Sequence, residues 1–205
     1  MSIWKTIRFR LGAMFIFIVA VYLPFFIVLT IKYDTTKISL SGIGWRESGL
    51  PFLLIYICLT VPALIYQIFL FLNLSDRKSK WLQALILAGG IMIAVGAVFP
   101  VRESSPAYSH FLHSTLCQAG GVLSILAVTF MMVLYGKTNK EKIQKVTILY
   151  GELFIIVATA FLLLETTAML EVGVSLLFLI VMFIINGILI YRKEVEKSAL
   201  ILHQK

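Results

Sequence analysis

Charge is what this sequence has least of. Asp, Glu, Lys and Arg make up 14% of its 205 residues, where a soluble domain carries roughly a quarter. A chain of this length exposes too much surface to cover with so few charges, so a water-soluble globular domain is excluded. Cysteine is scarce as well. Cys58 and Cys117 both lie inside apolar runs, which suits small buried hydrophobes rather than a disulfide. Catalytic signatures are missing: there is no Walker A sequence, G-x-S-x-G, H-E-x-x-H or C-x-x-C. There is also no internal repeat, low-complexity segment, heptad array or channel filter sequence. Of the 5 prolines, Pro24 and Pro62 interrupt apolar runs in the first half without counterparts in the second, so the paired broken helices of many transporters are missing too.

What is abundant is apolar sequence, 60% of the chain, in blocks long enough to cross about 30 Å of hydrocarbon. The expectation is a single all-α integral membrane domain over residues 1–205, a bundle of six transmembrane helices spanning about 11–31, 50–72, 81–100, 110–135, 146–164 and 170–191. The first run follows Lys5, Arg8 and Arg10 but ends in Lys32-Tyr33-Asp34 without a small-residue cleavage site, so it reads as an uncleaved helix rather than a signal peptide. Pro24 is expected to kink it. Residues 32–50 form the longest loop, with Trp45 as an interfacial anchor. The third span is rich in small residues, and Ala84/Ala88 and Gly90/Ala94 have the four-residue spacing that lets helix backbones approach closely. The charged tail from Arg192 reads as a solvated or surface-lying end.

The net charge is +8, yet the basic residues sit in short clusters between apolar blocks, not on one face or tail. That is the bias of cytoplasmic loops and excludes nucleic acid as the natural partner. The N-terminus, second loop, fourth loop and tail hold 14 of the 18 Lys and Arg, and the other loops hold 4. Both termini are therefore expected in the cytoplasm of a plasma-membrane protein, and residues 99–121, FPVRESSPAYSHFLHSTLCQAGG, are expected to face outward.

That stretch holds the most concentrated polar chemistry. Arg102 and Glu103 precede His110 and His113, which open the fourth span about 60° apart on one flank. Ser114, Cys117, Gly121 and Ser124 continue that flank, and Leu112, Leu116, Ala119, Leu123 and Leu126 line the other. Glu165 and Glu171 bracket the turn between the last two spans at the same depth, completing a candidate outer cluster of Arg102, Glu103, His110, His113, Glu165 and Glu171. Ser175 and Asn186 share a helical face with Glu171, and Tyr56, Thr60 and Gln67 share a face of the second span. Glu152, about two turns inside the fifth span, is a candidate intramembrane acid, since an ionisable group in hydrocarbon costs at least a few kcal/mol and needs a partner or a job. The structural alternative is a Glu152 hydrogen-bonded to Tyr or Asn, or reaching toward the cytoplasmic lysines.

His110 and His113 with a carboxylate could hold zinc with an open position for water, or titrate near neutrality as a pH sensor. The competing reading has the histidines hydrogen-bonding the outer loops and the glutamates solvated; on that reading no cofactor is expected.

Six helices, Phe99-Pro100 ending the third, a short Ser- and Pro-containing loop, His110 or His113 opening the fourth and Leu170-Glu171-Val172 opening the sixth resemble the bacterial DUF998 membrane family, itself distantly similar to Frag1/DRAM-type six-helix proteins. Where members tend to carry Glu-Arg, this chain has Glu171-Val172. The resemblance implies a bacterial membrane protein and no particular activity. The His and acidic residues also resemble the zinc membrane hydrolases of the ceramidase-like and progestin-receptor-like group, but those have seven helices and a second His-rich motif in the last one; here the last span has no histidine.

The functional expectation is a non-enzymatic interaction, envelope-stress or immunity role with an outward polar pocket, acting in the lipid bilayer with a membrane protein partner or a second copy of the chain. A zinc-dependent lipid hydrolase is the alternative, and a small transporter or transporter subunit the third.

Overall fold

The computed structural model describes residues 3–46, 49–74, 79–138, 148, 150–152, 155–156, 159 and 167–203. Among the described residues the regular structure is all helical, without a strand. It runs α1 (Ile3–Phe17), a π-helical turn (Ile18–Tyr22), α2 (Leu23–Lys32), α3 (Leu40–Arg46), α4 (Leu50–Leu74), α5 (Lys80–Val98), α6 (Ala107–Thr138) and α7 (Ala168–His203). Five of the described helical stretches are long and apolar enough to cross a membrane, with α1, the π turn and α2 forming one of them over Phe9–Lys32. The protein is therefore membrane-embedded. The fifth span expected from sequence, 146–164, lies largely outside the described residues; 148, 150–152, 155, 156 and 159 within it are helical.

Local sequence explains the departures from regular helix. Pro24 has no N–H to give the carbonyl four residues back, and its ring crowds that carbonyl. The chain widens just before it. Leu23 N–H bonds Ile18 O, five residues back, the mark of a π turn. With four to five residues per turn there, Met14, Ile18 and Tyr22 all stay on the buried face, and Leu29 continues it in α2. α5 stops at Val98 because Pro100 biases Phe99 to an extended backbone, φ −72° and ψ 124°. At the start of α7, Thr167 caps the helix, its Oγ1 accepting from Leu170 N–H at 3.3 Å.

Residues 32–50, read from sequence as loop, contain the seven-residue α3. Leu40 and Ile43 of α3 are buried in a core cluster with Tyr22, Leu29, Leu53, Ala168 and Val172. A second cluster, with Phe71, Leu72, Ile86, Met131, Met182 and Ile185, fills the opposite half of the bundle. Backbone bonds gather the connections of the first half at one end: Ala168 N–H bonds Ile38 O at 2.8 Å, and Met169 N–H bonds Thr35 O at 2.9 Å. The end of α2, α3, the start of α4, the end of α5 and the starts of α6 and α7 therefore meet there.

Candidate functional site

α5 and α6 meet through glycine. A Cβ on Gly120 would lie 2.6 Å from Gly89 O and 3.0 Å from Ile93 N, and one on Gly96 would lie 2.8 Å from Cys117 Sγ. The small residues that close this joint are thus Gly89, Gly96 and Gly120, while Ala84 and Ala88, expected there from their spacing, are exposed. Gly121 has open space beside it, so the packed face of α6 is turned by one residue from the expected flank. Cys117, Ser124 and His113 lie on the packed face, and Ser114 is exposed.

Where α5 ends, side chains gather on the carbonyls of its last turn and of Pro100; Gly96 O also accepts from Phe99 N–H at 3.1 Å. His113 Nδ1 lies 3.0 Å from Gly96 O, the Trp45 indole N–H donates to Ala97 O at 3.3 Å, and Ser109 Oγ donates to Pro100 O at 2.8 Å. Arg102 continues the closure. Its Nε donates to Trp45 O at 2.7 Å, with the guanidinium 5.9 Å from the Trp45 ring centroid, and its carbonyl receives His110 Nε2 at 2.9 Å. Arg102 N–H donates to Ser105 Oγ at 3.1 Å. Since a carbonyl only accepts, both imidazoles donate N–H at these contacts. Trp45 is thus a strut between α3 and α5. Glu103 is exposed at the turn.

Glu171 stands one turn into α7. Its Oε2 accepts from Leu40 N–H, the first residue of α3, at 3.3 Å. Ser175 Oγ donates to Glu171 O at 2.8 Å and lies 2.7 Å from Tyr56 OH, which itself donates to Glu171 O at 3.4 Å. Tyr22 OH lies 3.1 Å from Thr60 Oγ1. Four hydroxyls from the π turn, α4 and α7 therefore gather one turn below the carboxylate. Further along the same helix pair, Asn186 Nδ2 donates to Gln67 Oε1 at 2.7 Å and to Gln67 O at 3.0 Å. Both side chains are fully buried, and Gln67 Nε2 and Asn186 Oδ1 have no partner. The shared faces read from sequence for Tyr56, Thr60 and Gln67, and for Glu171, Ser175 and Asn186, thus face each other across α4 and α7.

Of the expected outer cluster, the structure joins His110, His113 and Arg102 through backbone carbonyls and puts Glu171 against α3. Glu165 lies outside the described residues. Glu152 is exposed. Among the described residues no three His, Cys, Asp or Glu side chains come together in a group that could hold a metal ion. Sequence reasoning missed Tyr22 and the Leu40 amide. The four-residue recurrence of Met14, Ile18 and Tyr22 was the available signal for the first. Nothing in the sequence marks the second, because a backbone N–H is common to nearly every residue.

Compared with known proteins, the chain matches no family model, no curated protein and no solved structure.

Proposed function

We propose that this chain is a bacterial plasma-membrane protein of six spans, related to the DUF998 family, with both termini cytoplasmic and a non-enzymatic interaction or protective role in the envelope. The clustering of Lys and Arg in alternate connections supports the orientation. The observation that carries the role is the rigid closure at one end of the bundle. Trp45, Arg102, Ser105, Ser109, His110 and His113 are each hydrogen-bonded to a backbone group of that end, so the exposed turn with Glu103 and Ser104 is presented on a fixed base. A preorganised polar surface binds without first having to be ordered, and a membrane protein or a second copy of the chain is the partner that reaches it within the bilayer.

The test is site-specific photocrosslinking in intact cells from Glu103 or Ser104. The expected outcome is a discrete membrane-protein adduct that disappears with Arg102→Ala, which unties the turn from Trp45. A zinc-dependent lipid hydrolase is the second reading, favoured by one feature: imidazoles that ligate metals usually give their other N–H to a carbonyl, as His110 and His113 do. Stoichiometric zinc in purified protein, lost together with lipid hydrolysis in His110→Ala and His113→Ala, would replace the first reading with the second.

A further inference from the structure

We propose that Glu171 is a proton-binding site whose occupancy sets how firmly α3 is held to α7. Two observations support it. The carboxylate lies within a membrane-crossing helix, where an ionisable side chain is a functional candidate by default. Its Oε2 contacts the first amide of α3, an element tied to the rest of that end through Trp45.

The ionised form of Glu171 accepts from Leu40 N–H, a charge-assisted bond stronger than its neutral counterpart. Protonation takes one H⁺ from water onto a carboxylate oxygen and brings the side chain from −1 to 0. It reduces that bond to a neutral one and adds an O–H donor. The titratable groups around Glu171 are Tyr56 from α4, Cys117 from α6 and, beyond Ser175, Tyr22 from the π turn. In the connection before α3, Asp34 and Lys37 pair with each other at 2.9 Å. None of these groups supplies a cation to Glu171.

The inference does not depend on a partner, so it stands or falls separately from the interaction role. It is tested on the full chain in nanodiscs with two readouts. One is infrared difference spectroscopy of the protonated carboxyl stretch. The other is hydrogen exchange of peptides covering 38–44, corrected for the intrinsic pH dependence of exchange. As pH is lowered, the wild type should gain a buried-carboxyl band and lose protection at the start of α3 in the same one-proton titration. Glu171→Gln should lose the band and make protection independent of pH, while His110→Gln combined with His113→Gln should leave both signals intact. If the titration survives Glu171→Gln, or disappears with the histidine pair, the proposal is overturned. Should Glu171→Gln fail to fold, Glu171→Asp keeps a carboxylate on a shorter side chain that draws it away from Leu40 N–H and must move the midpoint; an unmoved midpoint overturns the proposal equally.

Discussion

The joint between α5 and α6 and the seam between α4 and α7 solve the same problem by different chemistry. At the α5–α6 joint, glycines bring two backbones into contact, and the polar side chains there address backbone carbonyls: His113 to Gly96 O, Trp45 to Ala97 O, Ser109 to Pro100 O. Along the α4–α7 seam, side chains address mainly each other: Tyr56 with Ser175, Gln67 with Asn186. A donor aimed at a carbonyl cannot be compensated by changing its partner, because the partner is the chain itself. A side-chain pair can be removed as a pair. Polar residues in an apolar chain thus divide by what they touch rather than by what they are.

Two adjacent glycines give the largest test of this difference. Gly120→Ala would set a methyl against Gly89 O and Ile93 N, both backbone atoms that cannot swing aside, whereas Gly121→Ala meets nothing within 4 Å. Overpacking of that kind costs about 1–3 kcal/mol or more. In a denaturant titration in mild detergent, Gly120→Ala should lose most of its folded population and Gly121→Ala should behave as wild type. Equal behaviour would show that the joint is not backbone-closed.

The seam predicts non-additivity. Asn186→Leu alone leaves Gln67 buried with an unanswered amide, a loss of about 0.5–2 kcal/mol in a membrane setting. Gln67→Leu with Asn186→Leu removes both polar groups and should recover much of it, measured as a double-mutant cycle. A double variant as unstable as the sum of the singles would place the seam with the joint. For His113→Phe, the cycle with any side chain should instead give no recovery, and the single loss should be about 1 kcal/mol, read as faster hydrogen exchange at the end of α5.

The smallest effect belongs to the connection between α2 and α3, outside the spans. The Thr36 hydroxyl beside Asp34, and then Lys37, hold the Asp34 carboxyl below the usual carboxylate range. Asp34 in turn raises Lys37 above its ordinary value. A depressed acid contributes above its unfolded value and loses that contribution as pH falls through the folded one. A raised base contributes below its unfolded value and loses it as pH rises through the folded one. This turn should therefore loosen only under acid or strongly alkaline conditions. Both groups are exposed, so the change should appear as local exchange at 34–38 and leave global melting unmoved. A global shift would show that this turn shares the bundle's cooperativity.

Much of the architecture was legible because a bilayer demands long apolar runs, and those are visible by inspection. The α4–α7 face was legible too, since Tyr56, Thr60 and Gln67 fall at helical spacing, as do Glu171, Ser175 and Asn186. The histidines were legible in part: hydrogen bonding to the outer loop was one reading of them, and His110 on Arg102 O fits it. Their spacing allows a metal pair as readily, and the partner carbonyls, Gly96 O and Arg102 O, carry no residue-specific signal. α3 hid for a related reason: the Gly-rich sequence from Leu40 to Arg46 has poor helix propensity, and Leu40 and Ile43 become helical by packing against Leu53, Ala168 and Val172. Gly120 and Gly121 are identical letters, and only the rotation of α6 tells them apart.

The widened turn at Ile18–Tyr22 gives the first membrane helix a spare residue. Removing one residue there, Ala20 for example, would let the segment close into an ordinary α-helix while the stretches before and after it keep their faces, Met14 on one side and Leu29 on the other. The same deletion a turn or two later, inside α2, would rotate everything beyond it by about 100° and carry Leu29 out of the core. The chain's tolerance of length change is therefore lodged in one turn, beside the tyrosine that reaches Thr60.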